Sequence, residues 1–294
     1  MESNDLARIQ ALPCWQGRIE VEPLSGGMTN INYRVRDETS DFVVRFGEDD
    51  PVHLISRANE VACCQAAYAA GLSPALIHHG DGILVVQFIE GQVFSEPDIA
   101  KPENLPRIIS LLKQFHHEMP KRFNQIPVMF WVFQVLRHYQ NLLTEGNSSH
   151  KQRLVELGRI ANQLEKDVGA VEIVFGHNDL LAANFIDDGE KIWLIDFDYA
   201  GFNSPLFDLA NLASNNELSE TDETGMLELY FGNRFDRGNL RAYHAMKCAS
   251  LLRETLWSMV SELYSKVDMD FADYTTKNLE RFESVYAAFN QHYQ

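Results

Sequence analysis

Three side chains in one short segment have the types and spacing needed for phosphoryl transfer. The segment from Gly176 to Asp196 reads GHNDLLAANFIDDGEKIWLID, and it contains Asp179, Asn184 and Asp196. A carboxylate such as Asp179 can accept the proton of an attacking hydroxyl group. An amide oxygen and a second carboxylate can hold a metal ion against nucleotide phosphates. The segment therefore predicts phosphoryl transfer from a magnesium nucleotide.

The residues between Asn184 and Asp196 predict a hairpin that would bring these two side chains together. NFI and KIWLI read as short strands, and the Asp188-Gly189 pair is a strong turn signal because both residues tolerate a positive φ. The hairpin returns the chain, so Asp196 is expected close to Asn184. Oxygen ligands without a thiolate or paired imidazoles suit Mg²⁺ better than Zn²⁺.

These residues also have ordinary structural interpretations. Asn and Asp in loops often bond their own backbone, and Asp196 could cap a helix. Asp179 and Asn184, however, have the five-residue spacing of the Asp and Asn in protein-kinase catalytic loops. The joint order of strand, polar loop, Asn, hairpin and IDFD favours catalysis.

HNDLLAAN followed by WLIDFDYAG resembles the choline/ethanolamine kinases, within the aminoglycoside-phosphotransferase-like group. The resemblance extends over nearly the whole chain and is most specific between Phe175 and Asp208. It implies an ATP- and Mg²⁺-dependent kinase acting on the hydroxyl group of a small cationic alcohol, with choline and ethanolamine as leading candidates.

The order of predicted elements indicates an α+β, two-lobed protein-kinase-like fold. Five strand patterns and one alanine-rich helix near residues 56–70 precede Gly91, and mostly helical patterns follow it. We therefore expect a small antiparallel-sheet nucleotide-binding lobe over residues 1–90 and a large helical catalytic and substrate lobe over residues 91–294. The predicted helices after Gly91 are 104–118, 130–144, 149–167, 206–214, 222–231, 237–264 and 270–290.

A glycine-containing loop between two early strands is a candidate phosphate cradle, although a double glycine is more often a plain turn. It lacks the GK[ST] sequence of a Walker A loop. The residues expected to face the nucleotide there are Ser25, Gly26, Gly27, Thr29 and Asn30.

Two further features complete the predicted nucleotide site. Arg45 stands on the strand where protein kinases place a Lys and where the family resembled here often has Arg, and Glu60 on the next helix is its expected partner. By the same resemblance, Gln87, Phe88 and Ile89 form the connector whose backbone faces the adenine edge. A surface Arg, a solvated Glu and a buried edge strand are the structural alternatives.

Within the catalytic segment, Asp179 is predicted as the base or as the group that orients the acceptor hydroxyl. Asn184 and Asp196 are predicted metal ligands, and Asp198, two positions along, is expected to face the same side. His177 is expected to brace the loop by a hydrogen bond to backbone or to Asp196. Asp208 is expected either to brace this loop or to meet ligand, or simply to complement a helix dipole.

The resemblance also places residues on the acceptor side, where a quaternary ammonium group needs aromatic faces and nearby carboxylates. Tyr199 and Trp257 match substrate-site aromatics of choline kinases. Glu254 stands where a second wall aromatic is expected, and Asn215 stands near an expected Glu. This exchange favours a smaller or primary ammonium group. Further wall candidates, which core packing would explain equally well, are Tyr264 and Tyr274.

Composition narrows the partners. Lys and Arg number 25 and Asp and Glu 42, which gives a net charge of −17. This argues against nucleic acid or an anionic membrane surface as partner and favours a cationic small substrate, although the acidity could simply aid solubility. No apolar run reaches membrane-spanning length, no signal peptide is recognisable, and the four cysteines suit free thiols in the cytoplasm.

Other functions remain open from the sequence. The acceptor could be thiamine, an aminosugar or an aminoglycoside, all of which are cationic and hydroxylated. A nucleotide-binding module without catalysis is disfavoured because Asp179, Asn184 and Asp196 are all present. A metal-dependent hydrolase is a weaker alternative. Related kinases are sometimes dimers, so a homodimer also stays open.

Overall fold

The computed structural model describes residues 3–24, 31–234 and 236–293, and these form a strand-rich part followed by a helical part. The elements up to residue 87 are α1 (Ser3–Gln10), β1 (Glu20–Leu24), β2 (Ile31–Arg36), β3 (Asp41–Phe46), α2 (Arg57–Ala69), β4 (Leu76–Gly80) and β5 (Ile83–Gln87). Among the described residues, five strands pair antiparallel in the order β1-β2-β3-β5-β4. The expected antiparallel sheet is therefore confirmed.

Alternation along β3 decides which of its side chains face the cleft, by which we mean the space between this sheet and the segment that carries Asp179 and Asp196. Phe42, Val44 and Phe46 are buried in a small core with Ile9 of α1. Because successive strand residues point to opposite faces, Arg45 leaves this core on the other side of the sheet. The apolar face of the strand thus fixes the direction of a charged side chain that the resemblance to kinases assigns to the nucleotide site.

The second part begins after β5 and is mostly helical. Its elements are β6 (Gln92–Val93), α3 (Glu96–Ile99), α4 (Leu105–Arg122), α5 (Val132–Glu145), α6 (Lys151–Val168), β7 (Val174–Gly176), β8 (Phe185–Asp187), β9 (Ile192–Leu194), β10 (Gly201–Asn203), α7 (Pro205–Asn215), α8 (Glu220–Phe231), α9 (Arg237–Tyr264) and α10 (Phe271–Tyr293). All seven helices predicted after Gly91 are present; α9 has the predicted bounds, and the ends of the other six differ from prediction by at most four residues. Helix α9 packs against α5, α6, α7 and α10 and forms the centre of the large core.

Two small antiparallel sheets hold the catalytic segment. The β8–β9 hairpin pairs Phe185 with Leu194 and turns at Asp188 and Gly189, as predicted. Strand β6 pairs with β8 on its other edge, and β7 pairs with β10. Both sheets carry the predicted functional residues in the loops that leave their short strands. The boundary between the parts near residue 91 stays a prediction.

In the described ranges, every helix is too short or too polar to traverse a lipid bilayer.

Candidate active site

The loop after β7 owes its shape to Asn178. This residue has a positive φ of 66°, and its amide nitrogen donates to the carbonyl of Tyr199 at 2.9 Å. The amide oxygen accepts from Asn203 Nδ2 at 3.1 Å. Asn tolerates the left-handed region better than most residues. Asn178 therefore ties the loop to the segment that follows β9 and turns the next residue, Asp179, toward the cleft.

Asp208 is a buried anchor for the same loop. Its carboxylate accepts from the backbone N–H groups of His177 and Asn178 at 2.8 and 2.7 Å, and from His116 Nε2 at 2.9 Å. Tyr230 Oη lies 2.6 Å from His116 Nδ1. Burial acts against the charged form of Asp208, but these bonds hold its pKa below the usual value. Of the roles predicted for Asp208, the geometry favours bracing the loop.

His177 also contacts backbone. Its Nε2 donates to the carbonyl of Ile195 at 3.0 Å, and its ring packs against the rings of Phe115 and Phe197. Desolvation lowers the pKa of this buried imidazole, so the neutral ring is favoured. These contacts agree with the loop-bracing role predicted for His177, with the backbone as its partner.

Asp179 follows Asn178 in this loop, and its side chain is 17% exposed. Desolvation raises the pKa of its carboxyl group to about 7, and the carboxylates of Asp196 and Glu254 act in the same direction. Arg253 opposes them, with Nη1 3.7 Å from Asp179 Oδ1. A partly buried carboxylate with a pKa near neutrality is suited to proton transfer at physiological pH.

Asn184 and Asp196 are brought to the same end of the β8–β9 hairpin. Asn184 Nδ2 donates to the carbonyl of Asp179 at 2.8 Å, and the N–H of Ile195 donates to the carbonyl of Asn184 at 3.1 Å. Asp196 follows with a φ of 66° and a side chain that is 31% exposed. The proximity predicted from the hairpin is therefore present.

This oxygen set fits magnesium. The amide nitrogen of Asn184 is turned to the Asp179 carbonyl, which leaves the amide oxygen as the group for a cation. One oxygen of Asp196 contacts Arg45 at 3.0 Å. Among the described residues no group of three His, Cys, Asp or Glu side chains forms a ready-made metal cluster. Mg²⁺ usually keeps waters and takes one or two protein ligands plus substrate phosphates, so two oxygen ligands suffice.

Arg45 and Glu60 form the predicted pair and belong to a larger network. Arg45 Nη1 lies 2.9 Å from Glu60 Oε1, and Arg45 Nη2 lies 2.6 Å from Asp198 Oδ2. Arg57 Nη1 lies 2.6 Å from both Glu60 Oε2 and Asp198 Oδ1. Because two guanidinium groups contact its two oxygens, Asp198 is better placed to orient Arg45 than to bind a metal. The sequence did not indicate the part played by Arg57.

The remaining nucleotide-side predictions have different outcomes. Ser25, Gly26, Gly27, Thr29 and Asn30 lie outside the residues that the structure describes. In the connector, the N–H of Gln87 donates to Ala75 and that of Phe88 donates to Asp41, both at 2.9 Å. Two of the three connector N–H groups are therefore already bonded within the protein. This narrows the predicted adenine contact to Ile89 and to connector carbonyl groups.

The three predicted acceptor-side residues lie together. Trp257 Nε1 donates to Tyr199 Oη at 3.2 Å, and Tyr274 Oη donates to Glu254 Oε1 at 2.8 Å. Tyr264 instead directs its hydroxyl to the carbonyl of Leu142. We call Tyr199, Arg253, Glu254, Trp257 and Tyr274 the acceptor wall.

Two further residues at this wall were not predicted from the sequence. Arg253 is 2% exposed, and its guanidinium lies over the Tyr199 ring, 4.5 Å from the centroid. His53 packs against Trp257, with ring centroids 5.0 Å apart. A charged residue among the buried positions Leu251, Leu252 and Leu256 of α9 was a usable signal for Arg253. Nothing local distinguishes His53.

Comparisons with known proteins agree with this geometry. A family model described as choline/ethanolamine kinase matches residues 21–226. Protein LicA of Haemophilus influenzae is 25% identical over 261 residues, which cover 86% of this chain and 96% of that protein. A crystal structure of a choline/ethanolamine kinase family protein from Mesorhizobium loti has a TM-score of 0.79 and 25% identity, covering 96% of this chain and 94% of that one. A crystal structure of LicA in complex with AMP has a TM-score of 0.78 and 22% identity, covering 98% and 99%. The fold is protein-kinase-like.

Proposed function

This chain belongs to the choline/ethanolamine kinase family, and we propose that it transfers the γ-phosphoryl group of ATP, with Mg²⁺, to the hydroxyl group of choline or ethanolamine. It is a small-molecule kinase that transfers phosphate to an alcohol. The donor, the metal and the acceptor named in this proposal are supported by separate parts of the site.

One observation carries the catalytic part of the proposal. Asn184 Nδ2 donates to the carbonyl of Asp179 at 2.8 Å, and the carbonyl of Asn184 accepts from the N–H of Ile195 at 3.1 Å, so the proposed base is tied to one proposed metal ligand and lies next to the segment that carries the other. Asp179 would accept the hydroxyl proton as the acceptor oxygen approaches phosphorus. Because the transition state is loose, positioning and charge neutralisation supply most of the rate gain.

The proposal of ATP as phosphoryl donor is supported by the charged pair of Arg45 and Glu60. Arg45 enters the cleft with Glu60 beside it, and this pair would direct a guanidinium toward nucleotide phosphates. A fold neighbour, LicA, binds AMP, which supports an adenine nucleotide here. Asn184 and Asp196 would hold Mg²⁺, and when bound the ion would neutralise charge on the transferring phosphoryl group.

The acceptor side rests on the wall. Glu254 supplies a carboxylate near the predicted base, and the same wall contains the aromatic residues Tyr199, Trp257 and Tyr274. Carboxylates and aromatic rings are the groups that bind an ammonium headgroup. The net charge of −17 would add a long-range attraction for cations.

The direct test is ADP release by the full chain with Mg-ATP and one acceptor at a time. The acceptors are choline, ethanolamine, thiamine and an aminoglycoside, and phosphorus NMR of the product identifies the phosphomonoester. We expect turnover with choline or ethanolamine and only background without acceptor. Turnover restricted to thiamine or the aminoglycoside would contradict the acceptor assignment alone. ATP binding without ADP release from any acceptor would instead indicate a non-catalytic module.

A further inference from the structure

The acceptor wall already contains a cation of its own. Arg253 on α9 is 2% exposed, and charged side chains are rarely buried so deeply unless they are paired. Its Nη1 lies 3.1 Å from Glu254 Oε2 and 3.7 Å from Asp179 Oδ1. The same guanidinium therefore contacts the predicted base and the predicted acceptor carboxylate.

This guanidinium also covers the aromatic surface that a quaternary ammonium group would need. Its central carbon is 4.5 Å from the Tyr199 ring centroid and 5.9 Å from that of Phe130, both within the range of cation–π attraction. A cation gains from a ring face only where no other cation occupies that face. The Tyr199 face is thus taken by Arg253.

The second aromatic residue of the wall is closed as well. Trp257 is 5% exposed, and its ring packs against His53, Phe271 and Tyr274 at centroid distances of 5.0, 6.1 and 6.3 Å. Its Nε1 is bonded to Tyr199 Oη. Because Arg253 covers one face of Tyr199 and the Trp257 ring is buried, these two rings do not form an aromatic cage for a trimethylammonium headgroup.

Hydrogen-bond acceptors remain at the wall. The Glu254 and Asp179 side chains are 15% and 17% exposed, so both carboxylates keep some solvent-accessible surface. Arg253 Nη1 contacts one oxygen of each group, Glu254 Oε2 and Asp179 Oδ1, so both groups keep the capacity to accept further hydrogen bonds. A primary ammonium group can donate to carboxylates, whereas a trimethylammonium group has no N–H to donate.

We infer that Arg253 is a specificity-determining residue that occupies the Tyr199 face and restricts the acceptor to a primary or sparsely methylated ammonium alcohol. This inference rests on the proposed function and narrows its acceptor from the pair choline or ethanolamine to the ethanolamine end. Arg253 acts through Tyr199 and Glu254, while Asp179 retains the proton transfer.

A graded acceptor series tests this directly. ADP release is measured with ethanolamine and with its mono-, di- and trimethylated derivatives, the last being choline, for the wild-type full chain and for Arg253→Met. We expect wild-type kcat/KM to fall with each methyl group and to be about tenfold or more lower for choline. Arg253→Met uncovers the Tyr199 face while keeping an unbranched side chain. This variant should lower the ratio of kcat/KM for ethanolamine to kcat/KM for choline by about tenfold.

Two further variants separate specificity from general damage. Arg253→Lys keeps the charge but loses the planar group, so it should lower the ratio of kcat/KM for ethanolamine to kcat/KM for choline only about threefold. If Arg253→Met does not fold, Arg253→Lys takes its place in the test. Arg153→Met makes the same chemical change at an exposed ion pair with Glu283 and should leave the ratio unchanged.

Three results would contradict the inference. A wild-type preference for choline, or an equal loss with all four acceptors in Arg253→Met, would overturn the role of Arg253 while leaving the kinase proposal intact. Turnover with none of the four acceptors, with ATP still bound, would contradict the proposed function and this inference together.

Discussion

The catalytic loop and the acceptor wall are built from different kinds of contact. In the loop, side chains bond backbone: Asp208 holds two N–H groups, Asn178 holds the Tyr199 carbonyl, and Asn184 holds the Asp179 carbonyl. In the wall, side chains contact side chains, as between Trp257 and Tyr199 or Tyr274 and Glu254.

Because of this difference, we expect the loop to control the rate of phosphoryl transfer and the acceptor wall to control which acceptor is used. Several side-chain bonds to backbone hold the geometry of the loop together, so the proposed transfer site does not depend on any one of them. Each wall contact depends on the identity of both partners, so one substitution can change the pocket without moving the loop. The comparison predicts large, general losses from loop variants and small, acceptor-specific changes from wall variants.

The largest effect is expected from Asp179→Asn. The amide keeps the size of the side chain but cannot take the hydroxyl proton, so kcat should fall about a thousandfold. ATP affinity, measured by calorimetry, should stay within about twofold. Asp273→Asn, at an exposed pair with Lys277, is the matched control and should behave as wild type. Retention of most turnover would remove Asp179 from the role of base.

Asp196→Asn should come next. Loss of a charged ligand weakens the metal site, so we expect kcat/KM to fall about a hundredfold and the Mg²⁺ requirement to rise. A magnesium titration at fixed ATP measures both quantities. Asp188→Asn in the turn of the same hairpin keeps an oxygen acceptor for the turn N–H groups and should match wild type. An unchanged magnesium requirement in Asp196→Asn would contradict its role as a ligand.

Asp208→Asn should affect the whole loop through stability. The amide cannot accept all three bonds now made to the carboxylate, so unfolding free energy should fall by about 2 kcal/mol at pH 7. The pKa of Asp208 is lowered in the folded protein, so its stabilising effect is present above the unfolded pKa and is lost as pH falls. Urea unfolding at pH 7 and pH 3 should therefore show the variant and wild type converging at low pH. A difference independent of pH would contradict this account.

The smallest effect is expected at the wall, from Trp257→Phe. This change removes the indole N–H that bonds Tyr199 Oη, so the KM of the acceptor should rise about threefold with kcat and the KM of ATP unchanged. Steady-state kinetics with each substrate varied measures this. Trp193→Phe removes a similar bond, to Asp188, on the β8–β9 hairpin and should be neutral. A fall in kcat as large as that of a loop variant would erase the distinction between the two regions.

The parts of the site that could be predicted depend on local patterns. The Asp188-Gly189 turn predicted the hairpin, and the kinase-like order of strand and helix predicted the pair of Arg45 with Glu60. The pairing of β7 with β10 was missed because three-residue strands far apart in sequence carry too little periodicity. His116 was missed because a polar residue on an amphipathic helix looks solvated until the helix orientation is known.

The sequence by itself determined the proposed reaction centre, because Asp179, Asn184 and Asp196 lie within one segment whose turns and strands are encoded by neighbouring residues. Only the tertiary structure decided the acceptor wall, because Tyr199, the α9 residues and Tyr274 meet through the rotation of α9 and α10 against the loop after β9. Such rotations follow from the packing of the whole core, which short patterns do not encode. The burial of Arg253 against Tyr199 was decided at that level.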